Sequence, residues 1–195
     1  MDPVINIKND RAEARRLEDS NADICFLAVA DSEGQVSVRT LVLRDIVDNR
    51  FVIFVNKTSP KYKALTTGGN YQLLLWYTAL QRQYRISGTI NELETDIVRT
   101  NWYRRPKGSK LLDYVYQEMG DQSSEIESRQ ILVDKINQLK ADHSIDEMEP
   151  PAQVAGIELI ADRIEMLDLN REDRIHDRQL YRLEDGKWSR TTLIP

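Results

Sequence analysis

The chain of 195 residues has a formal net charge of −5, which argues against a general nucleic-acid-binding protein because such proteins present a basic field. Its single cysteine, Cys25, cannot form an internal disulfide, and its two histidines, His143 and His176, do not have metal-ligand spacing. The polar first twenty residues are not typical of a signal peptide and no apolar run can span a bilayer, so we expect a cytoplasmic protein that binds no metal, nucleic acid or membrane.

The first half of the chain alternates apolar runs with polar breaks. Residues 1–21 are rich in charge and predict an N-terminal helix, since the segment RAEARRLED consists largely of good helix formers. Three apolar runs predict strands, at 24–30, 36–45 and 50–56, with a polar break over 45–49. Cys25 lies in the first run and is interpreted as a small buried hydrophobic residue. Ser59 and Pro60 predict the start of a helix, which a Gly-Gly pair ends.

The second half changes from strand to helix and back to strand. Two apolar runs predict a pair of strands, at 71–77 and 80–90. Three segments predict helices, at 95–105, 110–117 and 124–140, the last of them opening on the capping-box pattern SEIE. An acidic connector follows at 141–153, and then two further predicted strands, at 156–160 and 164–169. The chain closes with alternating runs around Asp185-Gly186, a pair that predicts a hairpin.

These elements define a fold class. About seven strands with short helices between them predict a mainly β (α+β) fold, an antiparallel barrel with flanking helices. A length of 195 residues suits one hydrophobic core, so we predict a single domain over residues 1–195. The edge strands of such a sheet need covering, and a dimer is a common way to cover them.

Two groups of charged residues are candidates for a functional site. Arg39 lies in the middle of an apolar strand, and Lys61 lies in the first turn of the helix that begins near Ser59, where free backbone N–H groups attract anions. Together these groups can bind a phosphate. The second group is the run RIHDR, whose Arg174 and His176 can meet an anionic or polar substrate. For the first group the alternative is surface ion pairing with the 32 acidic residues, and for the second it is a solvated loop.

Five segments follow one another in an order typical of one enzyme family. They are VRTLVLRD at 38–45, FVNKTSPKYKAL at 54–65, LQRQYRISG at 80–88, QSSEIESR at 122–129 and RIHDRQLY at 174–181. The stretch NWYRRPKGSK and the ending WSRTTLIP extend the similarity, which covers nearly everything from Ile24 to Pro195. On these residues the chain resembles the pyridoxamine 5'-phosphate oxidase family, whose members are homodimeric FMN-binding split barrels with two sites at the subunit interface.

The resemblance implies which residues contact FMN. Arg39 and Lys61 would hold the phosphate with Ser59 nearby, and Gln83 would come from the partner subunit. The other FMN contacts that the resemblance implies are Thr40, Leu41, Val42, Leu43, Arg44, Phe54, Val55, Gln122, Ser123 and Arg178.

The resemblance also implies a small-molecule substrate, which is phosphorylated in the family's vitamin B6 reaction. Arg105 and Ser109 would bind the substrate phosphate, with Arg44 as a further substrate contact. Arg174 and His176 would be the catalytic residues that face the reacting amine or alcohol carbon. In that reaction a hydride passes from pyridoxamine or pyridoxine 5'-phosphate to FMN, and oxygen reoxidises the flavin.

The chain departs from the family pattern mostly around the substrate and the flavin ring. Pro60 stands where the family has a phosphate-binding arginine, Asn101 replaces the substrate tyrosine, and Leu167 replaces a tryptophan near the flavin. Three hypotheses therefore stay open: a vitamin B6 phosphate oxidase, an FMN-dependent oxidoreductase of another small substrate, and a flavin-binding module without turnover.

Overall fold

The computed structural model describes residues 2–195, which form nine strands, five α-helices and one short 3-10 helix. The helices are α1 (Pro3–Arg16), α2 (Pro60–Thr66), α3 (Thr95–Trp102), α4 (Lys107–Met119) and α5 (Arg129–Asp142), followed by the 3-10 helix Ile145–Glu147. The strands are β1 (Ile24–Ala30), β2 (Val36–Val42), β3 (Asp45–Val47), β4 (Arg50–Asn56), β5 (Tyr71–Tyr77), β6 (Arg82–Glu92), β7 (Val154–Asp168), β8 (Asp177–Glu184) and β9 (Lys187–Thr192). Within these residues, none of the helices has the length and apolar character needed to cross a bilayer.

The strands form one nine-stranded sheet, in which β2, β1, β5, β6, β7, β4 and β3 are neighbours in that order. β8 pairs with β7, and β9 pairs with β8. The pairs β1–β2, β1–β5, β3–β4, β5–β6, β7–β8 and β8–β9 are antiparallel. The predicted hairpin between β8 and β9 is confirmed, because Asp185 and Gly186 both have positive φ, 50° and 74°, as a two-residue type I′ turn requires.

Internal contacts divide the chain into two compact units. The first comprises the residues up to Ile53, Ala64–Asn91 and Glu158–Pro195, and the second comprises Phe54–Lys63 and Glu92–Ile157. The predicted single domain over residues 1–195 stays a prediction.

Side chains along the central strands point alternately to the two faces of the sheet, and those that point inward form the core of the first unit. Their inward residues have no exposed surface, and they include Cys25, Leu27, Leu73, Leu75, Tyr84 and Ile86. Burial raises the pKa of the Cys25 thiol to about 12, so this residue stays uncharged at neutral pH. The interpretation of Cys25 as a small buried hydrophobic residue is confirmed.

The N-terminal helix α1 packs within the first unit. Asp2 accepts a hydrogen bond from the backbone N of Val4 at 2.8 Å, and a proline in the first turn suits a helix N-terminus. Val4 and Ile7 are buried, and the buried Arg11 forms an ion pair with Asp23 at 2.7 Å. The helix ends at Arg16 rather than near residue 21, because the following residues turn back on themselves.

A separate apolar cluster forms the core of the second unit. Its buried members are Val98, Trp102, Leu111, Val115, Leu139, Met148 and Val154. The ring N–H of Trp102 donates to the Met148 carbonyl at 2.7 Å, which satisfies the polar atom of a fully buried side chain. Leu111 and Val115 are spaced four residues apart, so α4 presents one apolar face to this core.

Several predicted boundaries are wrong, and the described residues form nine strands rather than about seven. The polar break at 45–49 contains β3, which pairs with β4 through Ile46 and Phe51. The strands predicted at 156–160 and 164–169 form one strand, β7, because the exposed Asp162 and the partly buried Arg163 continue the strand backbone without interruption. The helix predicted from 124 begins at Arg129, since the backbone at 120–128 makes a turn at 122–123 and is otherwise irregular.

Candidate cofactor and substrate site

A group of buried polar side chains lies in the second unit. Lys61 on α2 is only 6% exposed, and its Nζ donates to Oε1 of Gln122 at 2.8 Å. The backbone N of Gln122 donates in turn to Oγ1 of Thr58 at 2.9 Å. The structure therefore brings together Lys61 and Gln122, two positions 61 residues apart in sequence that the resemblance assigns to FMN.

The turn before α2 fixes the position of Lys61. Ser59 has no exposed surface, and its Oγ donates to the Asn56 carbonyl at 2.6 Å. Pro60 begins α2 as predicted, because its fixed φ suits the first turn and it has no N–H that would need a partner. The backbone N of Tyr62 closes the first turn by donating to the Ser59 carbonyl at 3.1 Å.

A buried ion pair occupies the same unit. Nη1 of Arg105 lies 2.7 Å from Oδ2 of Asp113, and Nδ2 of Asn56 donates to Oδ1 of Asp113 at 3.2 Å. Asp113 is 3% exposed, so water screens this pair little. Burial raises the pKa of Asp113, although Arg105, Asn56 and Lys61 each favour its charged form. The Arg105 guanidinium also lies over the Trp102 ring, 5.2 Å from its centroid.

The charges of this group favour an anionic ligand. Lys61, Lys110 and Arg105 are cations with little exposed surface, and the buried carboxylate of Asp113 offsets part of their charge. Within residues 2–195, the buried Nε of Arg105 has no hydrogen-bond partner, because the contact with Asp113 is an ion pair made through Nη1. The buried ammonium of Lys61 suits an oxyanion, so Lys61 and Gln122 fit the phosphate of a cofactor such as FMN.

The other residues of the second unit that the resemblance assigns to the site are Phe54, Val55, Ser109 and Ser123. Phe54 and Val55 lie near the end of β4, and Phe54 packs against the apolar cluster around Trp102. Ser109 is half-buried in the first turn of α4, and Ser123 is exposed with φ at 80°. Their FMN and substrate roles stay predictions.

The FMN residues predicted on β2 belong to the first unit. They alternate between half-buried and exposed positions in the order Arg39, Thr40, Leu41 and Val42. Leu43 follows the strand and is buried, and the backbone N of Arg44 donates to the Val52 carbonyl at 2.9 Å. Arg39 lies in the first unit and Lys61 in the second, so their joint contact with one phosphate stays a prediction.

Gln83 and Arg178 also belong to the first unit. Arg178 Nε donates to Oε1 of Glu165 at 2.8 Å, and Arg85 donates to the same oxygen. Because side chains alternate along β6, Arg85 shares a face with Gln83. Glu165 is 3% exposed, and its carboxylate holds the two guanidinium groups side by side.

Arg174 and His176 lie on the segment before β8. They line a cavity of about 270 Å³ together with Gln81, Leu169, Asn170 and Arg171. The backbone N of Asn170 donates to Nδ1 of His176 at 3.1 Å, which places the proton of a neutral imidazole on Nε2. Arg174 has φ at 66°, a left-handed conformation that is uncommon for residues with a side chain. The structure therefore brings both predicted catalytic residues to one cavity.

Sequence reasoning missed three buried polar residues that organise these groups: Asn56, Asp113 and Glu165. Asp113 interrupts the apolar helix segment LLDYV, and Glu165 interrupts the strand segment IEML. A carboxylate inside an apolar run is the signal that points to such residues, because a buried charge needs a partner. Among the described residues, no group of three His, Cys, Asp or Glu side chains is placed to hold a metal ion.

The antiparallel sheet with its flanking helices and buried cations defines a split-barrel protein suited to an anionic ligand. A sequence model described as pyridoxamine 5'-phosphate oxidase matches residues 12–142. The chain is 34% identical over 197 residues to a pyridoxine/pyridoxamine 5'-phosphate oxidase of Microcystis aeruginosa, covering 100% of this chain and 89% of that protein. A protein of the same name from Nostoc sp. is 32% identical, covering 99% and 88%. The chain belongs to the pyridoxamine 5'-phosphate oxidase family.

Two solved structures share this fold. PhzG from Burkholderia lata 383, in complex with tetrahydrophenazine-1-carboxylic acid, has a TM-score of 0.88 at 24% identity, covering 100% of this chain and 93% of that one. A pyridoxamine 5'-phosphate oxidase-related, FMN binding protein from Nostoc punctiforme has a TM-score of 0.77 at 17% identity, covering 97% and 96%. These likenesses show the fold alone, and they confirm the predicted mainly β split barrel with flanking helices.

Proposed function

We propose that this protein is an FMN-dependent oxidoreductase that oxidises a small amine or alcohol. The observation that carries the proposal is the buried Lys61, held 2.8 Å from Gln122, since both positions match the family's FMN contacts. A buried ammonium is stabilised beside an anion, and the cofactor phosphate is such an anion. Arg39 and Ser59 would complete the phosphate contacts.

The chain's own residues would bind and orient the reactants. When bound, FMN supplies a two-electron acceptor that takes a hydride from the substrate carbon and passes the electrons to oxygen. Arg178, held by Glu165 at 2.8 Å, would present a positive charge to the flavin ring. His176 would donate from Nε2 to the substrate, because Nδ1 already accepts from Asn170.

A homodimer forms part of the proposal. β2 lies at one end of the sheet order, and its outward face exposes Val36, Val38 and Val42 by 68%, 64% and 41%. An edge strand with an apolar outer face is a favourable surface for association. A second copy of the chain would cover it and would contribute Gln83 to the other subunit's site.

The first substrate candidate is pyridoxamine or pyridoxine 5'-phosphate. The relatives at 34% and 32% identity carry the name of this activity. Arg105 and Ser109 would bind the substrate phosphate, and Arg174 and His176 would face the carbon that loses the hydride.

The second candidate is a small substrate without a phosphate group. The specific observation in its favour is the ion pair of Arg105 with Asp113 at 2.7 Å, which already engages the arginine assigned to the phosphate. The fold neighbour PhzG is described in complex with a carboxylic acid, so this fold accommodates a ligand of that kind in at least one protein.

Anaerobic reduction of the flavin tests the proposal. Purified protein that is yellow and bleaches with pyridoxamine 5'-phosphate supports the first candidate, whereas bleaching only with other amines or alcohols supports the second. A yellow protein that no candidate reduces indicates a flavin-binding module without turnover. Arg174→Ala is expected to stop bleaching while FMN stays bound, and Arg182→Ala on the exposed face of β8 serves as the control. Unchanged bleaching by Arg174→Ala would remove Arg174 from the catalytic role.

A further inference from the structure

Asp113 stands beside the arginine that the proposed function assigns to the substrate phosphate. Its Oδ2 lies 2.7 Å from Nη1 of Arg105, and its Oδ1 accepts from Asn56 at 3.2 Å. The carboxylate is 3% exposed, so it cannot turn away into water without breaking both contacts.

The ion pair leaves Arg105 with limited capacity for an anion. A phosphate binds arginine best through two parallel N–H donors, and with Nη1 facing Asp113 the edge formed by Nε and Nη2 is the one left for a ligand. A phosphate dianion at Arg105 would also lie within a few ångströms of the Asp113 carboxylate, and like charges repel strongly where water is scarce. The buried Nε, which has no hydrogen-bond partner among residues 2–195, is a donor on that edge, and Asp113 does not repel a neutral acceptor placed there.

The surroundings keep this arrangement in place. The Arg105 guanidinium lies over the Trp102 ring at 5.2 Å, and Trp102 is fully buried in the core of the second unit. Asn56 ends β4 and leads into the turn that carries Ser59. Arg105 therefore rests against a buried ring, and Asn56 lies at the end of a strand.

We propose that Asp113 is a specificity-determining residue that selects, at Arg105, a substrate group without a phosphate. The substrate class is a small amine or alcohol whose contact with Arg105 is a neutral hydrogen-bond acceptor. This inference rests on the proposed function, because it takes Arg105 as part of the substrate site.

A pair of unreactive ligands tests the inference. 4-Deoxypyridoxine and its 5'-phosphate differ only in the phosphate and have no oxidisable group at the reacting carbon, so equilibrium dialysis against the purified holoprotein measures binding alone. Affinity for the phosphate form divided by affinity for the unphosphorylated form gives a preference ratio. Asp113→Asn is expected to raise this ratio at least tenfold, because it removes the repelling charge and keeps a side chain that can hydrogen-bond Arg105.

The control variant is Asp146→Asn, which removes an exposed carboxylate that pairs with Lys107. Lys107 lies on α4, as Asp113 does, and this variant is expected to leave the preference ratio unchanged. A rise of less than tenfold in Asp113→Asn, or no binding of the phosphate form by that variant, overturns the inference. If Asp113→Asn does not fold, the preference ratio of the wild-type protein tests the inference. A preference ratio below three supports the inference, whereas a ratio of three or more, or no binding of either ligand, overturns it. Flavin content measured on the same samples reports separately on the proposed function.

Discussion

At the scale of single residues, Lys61 and Lys63 lie on one helix but differ in burial and in the partners they bind. Both lie on α2, yet Lys61 is 6% exposed and bonded to Gln122, whereas the Lys63 side chain is 60% exposed and paired with Asp121. Because the exposed pair is screened by water, it contributes little to ligand binding or stability. The buried ammonium is the cation that a cofactor phosphate would meet.

Lys61→Ala is expected to weaken FMN binding by about 1.5–3 kcal/mol, because a charge-assisted hydrogen bond to the phosphate is lost. FMN fluorescence, quenched on binding, measures the dissociation constant. Lys63→Ala, two residues away, is the matched control and should bind FMN like the wild type. Equal affinity in the two variants would contradict the assignment of Lys61 to the phosphate.

Asp19 gives a prediction of pH dependence. Burial opposes its charge, yet hydrogen bonds from Ala79, Asn21 and Thr78 outweigh burial and hold the pKa of Asp19 below its ordinary value of 3.8. The stability that this carboxylate contributes is therefore present above pH 3.8 and is lost as the pH falls through the lower folded-state value.

Asp19→Asn should lower the free energy of unfolding by about 1–3 kcal/mol at pH 7, and the difference from the wild type should shrink below the ordinary pKa of a carboxyl. Urea unfolding at pH 7 and pH 3 measures both values. Asp48→Asn, which removes an exposed partner of Arg50, should change stability little at either pH. A loss of unfolding free energy of the same size at both pH values would show that the contribution of Asp19 to stability does not depend on its charge.

The site residues differ in how far sequence predicts them. Lys61 and Gln122 are 61 positions apart, and only the family resemblance linked them before the structure showed their contact. Asp113 belongs to no motif that the resemblance supplies, and its burial depends on how α4 packs against its neighbours. The apolar run LLDYV marks Asp113 as a candidate, but tertiary packing decides whether the charge is buried and which partners it meets.

At the scale of elements, the close approach of the neighbouring strands β6 and β7 depends on one glycine. A Cβ at Gly88 would overlap the Ile160 carbonyl oxygen and would lie 2.9 Å from the backbone N of Asp162. These are backbone atoms within paired strands, so they cannot move aside as the end of a side chain can.

Gly88→Ala should therefore destabilise the protein by about 2 kcal/mol or more, which thermal unfolding measures as a lower midpoint. Gly108→Ala is the matched control, because a Cβ there meets no heavy atom within 4 Å and the residue lies in α4. That variant should gain up to about 1 kcal/mol, since alanine restricts the unfolded chain and favours helix. Equal stability of the two variants would mean that the β6–β7 contact is less close than described.

Elements with strong local signals were predicted well. The start of α2 at Pro60 and the Asp185-Gly186 hairpin follow from conformational preferences that need no distant partner. The start of α5 was misplaced, because the SEIE pattern at 124 satisfies the capping rule while Gln122 just before it is bonded to Thr58. Composition predicts two strands in place of β7 because the charged residues Asp162 and Arg163 look like a break when only composition is considered.

At the scale of the whole molecule, the exposed apolar face of β2 and the predicted cofactor site lead to the same expectation. Val36 and Val38 are 68% and 64% exposed on a strand at one end of the sheet order. The residues assigned to FMN on that strand, Arg39 and Thr40, are their immediate neighbours in sequence. Association of two chains through this strand would therefore bury the valines and complete a flavin site in one step.

The central claim is tested most directly by measuring flavin content and molecular mass on the same purified sample. Absorbance at the flavin and protein bands gives the FMN-to-chain ratio, and light scattering during size exclusion gives the mass. The account predicts one FMN per chain in a particle of about twice the 22.7 kDa chain mass. A colourless protein of single-chain mass that does not take up added FMN would contradict it.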